Sequence, residues 1–231
     1  MRPLVLLLPL LLATVPAARG ESLAELLAAA EKNARFEPPA RADVRIACTP
    51  GCGATRAILL GRGTALYVEV QDGQRVLVRA GDVRVATAGH ATEAAPDARF
   101  ADTALALRDL AVFSAAALKT PQISDEGPTG VVVTAAPAGP SPYALLVHTI
   151  DREQRTIIKL QYYRESIGRL AKLRRDADWT RVGDAWRPGT ITVEDFERDT
   201  RTTLTLAWRT EPDAPPALFE PAGLEKPSGL Y

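Results

Sequence analysis

The sequence predicts a mainly β protein of the α+β class, with about ten antiparallel strands in one curled sheet. A long N-terminal helix and a short central helical insertion are its only covers. Three observations carry this expectation. Apolar and polar residues alternate with period two in run after run between Ala42 and Thr210. Short turn formers such as Asp72-Gly73 and Gly81-Asp82 separate the runs. Helical spacing is confined to the first part and the middle of the chain, so the strand–helix alternation of a doubly wound fold is missing. A twisted sheet of about ten strands must curl or close, and its concave apolar face then needs a cover.

Taken in order, the chain opens with a leader. Met1-Arg2 is positive, Pro3 to Pro16 is apolar or small, and Ala17-Ala18-Arg19-Gly20 follows. This is the pattern of a secretory signal peptide, with Ala18 and Gly20 at the −3 and −1 positions and cleavage before Glu21. The apolar run is shorter than the ~20 residues that span a bilayer, and Pro9 interrupts it. The expected domains are therefore a signal peptide over 1–20 and a single domain over 21–231. Losing Arg2 and Arg19 leaves 26 basic residues against 28 acidic ones. The expected compartment is the periplasm and the expected state is a monomer.

Ser22-Leu23-Ala24-Glu25 is a capping box. Leu23, Leu26, Leu27, Ala30 and Ala34 then recur at helical spacing, with Glu31 and Arg35 four apart, so a helix is expected over about 22–35, ended by Pro38-Pro39. Strand patterns follow at Ala42/Val44/Ile46, Leu66/Val68/Val70, Val76/Val78 and Val83/Val85. Between the first two, Cys48-Thr49-Pro50-Gly51-Cys52 surrounds a Pro-Gly turn. In an exported protein this reads as a hairpin staple, Cys48 to Cys52, ahead of free thiols or redox chemistry. Residues 89–118 read as a loop with one or two helical turns, including about 103–110. Its large apolar residues are Phe100, Leu105, Leu107, Leu110 and Phe113. Strand candidates resume at 130–136, 143–150, 155–163, 169–174, 181–182 with Trp186, 191–193 and 202–210. The tail through Leu218-Phe219 and Leu224 is expected to pack back as a short turn.

The 231 residues carry 28 Lys+Arg and 28 Asp+Glu and are 46% hydrophobic, which excludes a disordered acidic tail and a generic nucleic-acid binder. Two Cys and two His leave little for a metal centre, and no metal or other cofactor is expected. No G-x-S-x-G, H-E-x-x-H, phosphate loop or dinucleotide fingerprint occurs, so no catalytic residue is assigned and a non-enzyme is expected. His90 and His148 read as structural or solvated. The cluster Glu194-Asp195-Glu197-Asp199 reads as a solvated hairpin tip. The basic stretch Arg169, Lys172, Arg174 and Arg175 reads as an exposed strand face, with anionic head groups or a partner as the sharper alternative.

The order Tyr143–Val147, Ile150-Asp151, Ile157–Tyr163, Trp179, Gly183-Asp184-Ala185-Trp186-Arg187-Pro188, Ile191–Asp195, Arg201–Leu204, Leu218-Phe219 and Leu224 resembles the LolA-like superfamily of outer-membrane lipoprotein-sorting proteins, in its branch of uncharacterised secreted members. The resemblance covers about 140–226, and residues 21–120 agree in pattern only. It implies an incomplete antiparallel β-barrel around helices, with an apolar cavity that takes lipids, lipoprotein acyl chains or, in some branches, a regulatory partner. No functional residue of the family transfers position by position. The cavity candidates come from the apolar strand faces and the insertion: Leu66, Val68, Val70, Val76, Val78, Phe100, Leu110, Phe113, Ile158, Leu160, Tyr162, Leu204, Leu206 and Trp208. The expected function is a periplasmic carrier of a lipid or lipoprotein acyl chains toward the outer membrane, with an inner-membrane exporter or outer-membrane acceptor as partners. The rival expectation is a non-catalytic interaction module, accessory to an exporter or a sensor of envelope stress. Residues 89–118 are expected to act as a moving gate.

Overall fold

The computed structural model describes residues 21–71, 73–79, 82–226 and 228–230. The signal peptide over 1–20, Asp72 of the first expected turn and Gly81 of the second lie outside these residues. The one α-helix among the described residues, α1, spans Leu23–Ala34, and its capping box is formed as expected, with Ser22 and Glu25 bonded reciprocally. It is 12 residues, two shorter than the expected 22–35, because Arg35 already has extended backbone and caps the last turn.

Among the described residues thirteen strands, three more than the sequence suggests, form one antiparallel sheet. They are β1 Phe36–Thr49, β2 Arg56–Gly63, β3 Ala65–Val70, β4 Arg75–Arg79, β5 Asp82–Thr87, β6 His90–Glu93, β7 Leu118–Glu126, β8 Gly130–Pro137, β9 Leu145–Asp151, β10 Ile157–Tyr163, β11 Leu170–Val182, β12 Ala185–Asp195 and β13 Thr200–Thr210. Their order is β6-β5-β4-β3-β2-β1-β13-β12-β11-β10-β9-β8-β7, so the first strand is sewn to the last while β6 and β7 are free edges. The sheet is curled and open.

The strands that the alternation rule misses have physical reasons. β2 reads Arg-Ala-Ile-Leu-Leu-Gly-Arg-Gly and is buried on both faces, so its pattern is a run rather than an alternation. β7 is an edge strand, almost wholly exposed and carrying Pro121, Asp125 and Glu126, the features that discourage edge-to-edge pairing. β6 is four residues long. β11 is continuous through Asp178, whose φ of 55° is tolerated opposite Gly189. A Cβ on Gly189 would lie 2.7 Å from the Asp178 carbonyl oxygen. Pro38 and Pro39 do not end the helix; they lie in β1, where the pairing with β2 shifts between Phe36 and Ala40 and needs no N–H from them.

The wing formed by β2–β5 is covered twice. Inside, Leu59, Leu66, Val68, Val70, Val76, Val78 and Val83 pack with Phe100, Leu105 and Leu107 of the insertion. Outside, Leu60, Tyr67, Leu77 and Ala86 are capped by Ala214, Leu218, Phe219 and Leu224 of the tail, which folds back in two 3-10 turns as expected. In the other wing, α1 lays Leu26, Leu27 and Ala30 on Leu118, Val131, Val133, Ala135 and Ile150.

The insertion contains 3-10 turns at Leu107–Leu110 and Ala115–Ala117 rather than a helix over 103–110. It is a plug and not the loose cover that the sequence suggests. Phe100 and Ala104 to Leu107 are successively buried, and a helix cannot bury every side of itself against one wall. The Ala104 N–H instead donates to Thr202 Oγ1 at 2.8 Å, and Phe100 N–H to the Leu105 carbonyl.

Candidate functional site

Where the plug ends, the concave face stays hollow. Between α1, Leu105–Phe113 and the inner faces of β9–β13 lies a cavity of about 230 Å³. Alternation on the strands aims its walls: Leu204, Leu206 and Trp208 from β13, Ile191 from β12, and Leu160 and Tyr162 from β10. α1 faces it with Ala30, Asn33 and Ala34, side chains too short to fill the space. Trp179, Trp186 and Trp208, the chain's three tryptophans, all line it. Phe36 stacks on Trp208 with ring centroids 5.9 Å apart. Gly61 makes room for that ring, since a Cβ there would sit 2.1 Å from Phe36 Cγ.

Of the sequence-derived cavity candidates, Leu66, Leu110, Phe113, Leu160, Tyr162, Leu204, Leu206 and Trp208 are brought together on this wall. Val68, Val70, Val76, Val78 and Phe100 are not; they belong to the filled core, because the insertion's own side chains occupy that part of the concave face. Ile158 is replaced by its neighbour Ile157, since the pairing of β10 with β9 shifts between Ile157 and Lys159. Cys48 and Cys52 form a disulfide with Cα atoms 5.4 Å apart, away from the cavity wall in the β1–β2 connection.

The polar part of the wall was not legible as such. Lys172 and Arg174 point inward, which corrects the exposed-face reading for these two, while Arg169 and Arg175 are exposed as expected. Lys172 Nζ donates to Asp109 Oδ2 at 2.8 Å, both side chains being about 2% exposed or less. Tyr162 OH donates to Asp109 Oδ1 at 2.9 Å, Ala106 N–H to Oδ2 at 2.7 Å, and Arg174 Nη1 to the Asp109 carbonyl at 2.8 Å. Arg174 also forms a two-pronged pair with Asp176. Burial opposes the charge of Lys172, yet Asp109 beside it outweighs burial and leaves its pKa raised. Burial and the Asp109 carboxylate both push the Tyr162 hydroxyl well above its ordinary range. The available signal was the placement of Lys172, Arg174 and Asp176 on alternate positions of one strand.

Two further groups on the wall have no charged partner among the described residues. His148 is buried, packs on Phe113 with ring centroids 5.8 Å apart, and burial lowers its pKa to about 4. Arg187 is 5% exposed, and burial lowers its pKa to about 10. Its guanidinium donates to the carbonyls of Asn33, Arg35 and Trp186 and lies 4.5 Å from the centre of the Phe36 ring. The acidic cluster is the β12–β13 hairpin tip, as expected, with Glu197 and Asp199 exposed, but Asp195 is buried and accepts from the N–H groups of Glu197 and Arg198. Among the described residues no group of His, Cys, Asp and Glu is placed to hold a metal ion, and no helix is long and apolar enough to cross a membrane.

This architecture has known counterparts. A domain from Vibrio parahaemolyticus with a proposed outer-membrane lipoprotein-sorting role superposes with a TM-score of 0.72 at 15% identity, covering 87% of this chain and 97% of that one. A LolA superfamily protein from Nitrosomonas europaea gives a TM-score of 0.65 at 18% identity, covering 85% and 96%. A DUF1329 family protein from Desulfovibrio piger gives 0.69 at 14% identity, covering 86% and 96%. At these identities the likeness is one of fold. No curated protein matches the sequence. A family model described as an uncharacterised protein matches residues 90–226, more than half of the chain and well beyond the stretch from 140 that carries the sequence resemblance. The chain therefore belongs to that uncharacterised family and has the fold of the LolA superfamily.

Proposed function

We propose that the protein is a periplasmic carrier that holds a lipid, or an acyl chain of a lipoprotein, in the cavity beside α1. Residues 21–231 act as one non-catalytic domain after removal of the leader, taking cargo from an inner-membrane exporter toward an outer-membrane acceptor. The observation that carries the reading is the hollow half of the concave face. Its walls are Leu160, Leu204, Leu206 and three tryptophans, in a fold otherwise packed with the chain's own side chains. Each CH₂ moved there from water contributes about 0.8 kcal/mol, so an acyl chain binds without a specific polar contact.

The interaction-module reading loses part of its motive, because Lys172 and Arg174 face inward. The test is native mass spectrometry of protein recovered from the periplasm, with displacement of a fluorescent fatty-acid probe as a second readout. A co-purified amphiphile and probe uptake that Leu206→Trp abolishes are expected. Protein that is always recovered empty and refuses the probe overturns the carrier reading.

A further inference from the structure

The cavity is not a purely apolar slot. Among the described residues, three buried side-chain polar atoms on its wall have neither a hydrogen-bond nor an ion-pair partner, Arg187 Nε, His148 Nδ1 and Thr156 Oγ1, while a fourth without a hydrogen bond, Arg108 Nε, faces Asp97 Oδ1 at 2.5 Å. Leaving such an atom unmet costs about 1–3 kcal/mol, so their convergence on one hollow calls for an explanation. The charges are also unbalanced. Arg174 is matched by Asp176, Asp109 by Lys172 and Arg108 by Asp97, whereas among the described residues Arg187 and Lys159 line the same space with no ion pair. A buried guanidinium without a counter-ion is expensive unless a ligand supplies one.

Sheet register places these groups. Arg187 lies opposite Thr180 at the far end of β11, and Thr156 precedes β10 at that same end. Asn33 joins them, accepting from the Trp186 N–H and donating to the Arg155 carbonyl. Leu160 and His148 are paired further along β10 and β9, toward the middle of the sheet. A polar end and an apolar interior therefore follow one another along the cavity. Its volume of about 230 Å³ is below the roughly 300–1,000 Å³ of ordinary ligand pockets, enough for one chain and not for several.

We propose that the cargo is a single-chain amphiphile with an anionic head, a carboxylate or a phosphate, seated on Arg187 beside Thr156 with its tail running past Leu160. This rests on the carrier reading and narrows it. Arg187 Nε donates to the head, Thr156 Oγ1 supplies a second donor, and Lys159 adds positive potential along the wall.

The test is calorimetric titration of the wild-type protein with dodecanoate, dodecyl phosphate, dodecanol and inorganic phosphate, each below its micellar concentration. At least one of the anionic amphiphiles should bind about tenfold or more tighter than dodecanol, as one charge-assisted hydrogen bond warrants. Whichever binds identifies the head. Lys159→Gln should narrow the gap, and Arg187→Gln, if it folds, should close it. Dodecanol binding as tightly as both anions overturns the inference and leaves the carrier reading standing. Inorganic phosphate binding as tightly as dodecyl phosphate also overturns it, because the tail then contributes nothing. Failure of every amphiphile to bind overturns both.

Discussion

The two wings of the sheet meet the same demand in opposite ways. Around β2–β5 the concave face is filled by the chain itself, with Phe100, Leu105 and Leu107 packed on the strand valines, and the tail seals the convex side. Around β9–β13 the same concave surface meets a 12-residue helix that offers Ala30, Asn33 and Ala34 and the end of the insertion from Leu105 to Phe113, and a hollow remains. The difference is one of side-chain supply rather than of strand pattern. A half that stays hollow needs short residues on its cover, and a filled half needs long ones.

The largest expected effect lies at the joint between the wings, where Asp109 fastens the plug to β10 and β11. Asp109→Ala leaves Lys172 charged and buried without its partner and should cost about 3–5 kcal/mol in denaturant unfolding. A loss below about 1 kcal/mol would show that the plug is held by packing alone. Exchanging Asp109 and Lys172 together for Leu and Met should recover most of the loss.

A matched pair of truncations contrasts the wings directly. Phe100→Ala in the filled half should cost about 3–5 kcal/mol and leave probe affinity nearly unchanged. Leu160→Ala, on a wall that already borders empty space, should cost under about 2 kcal/mol while weakening the probe several-fold. Equal costs would dissolve the distinction between core and cavity.

The third effect is pH-dependent and belongs to the hollow half. His148 titrates near 4 when folded against 6.5 when unfolded, so the unfolded chain binds the extra proton between those values. Its contribution is intact above about pH 6.5 and is lost as pH falls toward 4, by at most roughly 3 kcal/mol. Thermal melts at pH 6.5 and 5 should diverge in the wild type and converge in His148→Phe. The smallest effect is the staple: Cys48→Ser with Cys52→Ser should cost about 2 kcal/mol, the chain-entropy value for so short a loop, and should not alter probe binding.

How much of this the sequence carried depends on what each strand touches. β13 alternates because one of its faces is wet, and Leu204, Leu206 and Trp208 were legible as one apolar row. β2 was invisible because the tail, more than 150 residues further on, covers its second face. Lys172 and Arg174 were misread for a similar reason. A charged side chain on a strand normally faces water, and the partner that permits otherwise, Asp109, sits in a segment with no periodicity. The capping box and the Cys48–Cys52 bridge were legible because their partners are three and four residues apart. Local interactions are written locally; the hollow is a deficit of volume, and it becomes visible only when the cover and the wall are in place together.

The seam between β1 and β13 has a kinetic consequence. Ala40 pairs with Thr210, and the ladder continues in register to Thr49 and Arg201. The β2–β6 meander and the β7–β12 strands can each zip up from neighbouring hairpins, but the strand that joins them, β13, follows all of these in the sequence. The seam is the slowest of the strand pairings to form, since it joins the strands furthest apart in sequence. Until it closes, β1 presents an unpaired edge with Val44 and Ile46 on it. Refolding should therefore show an early phase for the separate hairpins and a later one in which the two ends of the chain meet and the cavity first acquires its wall.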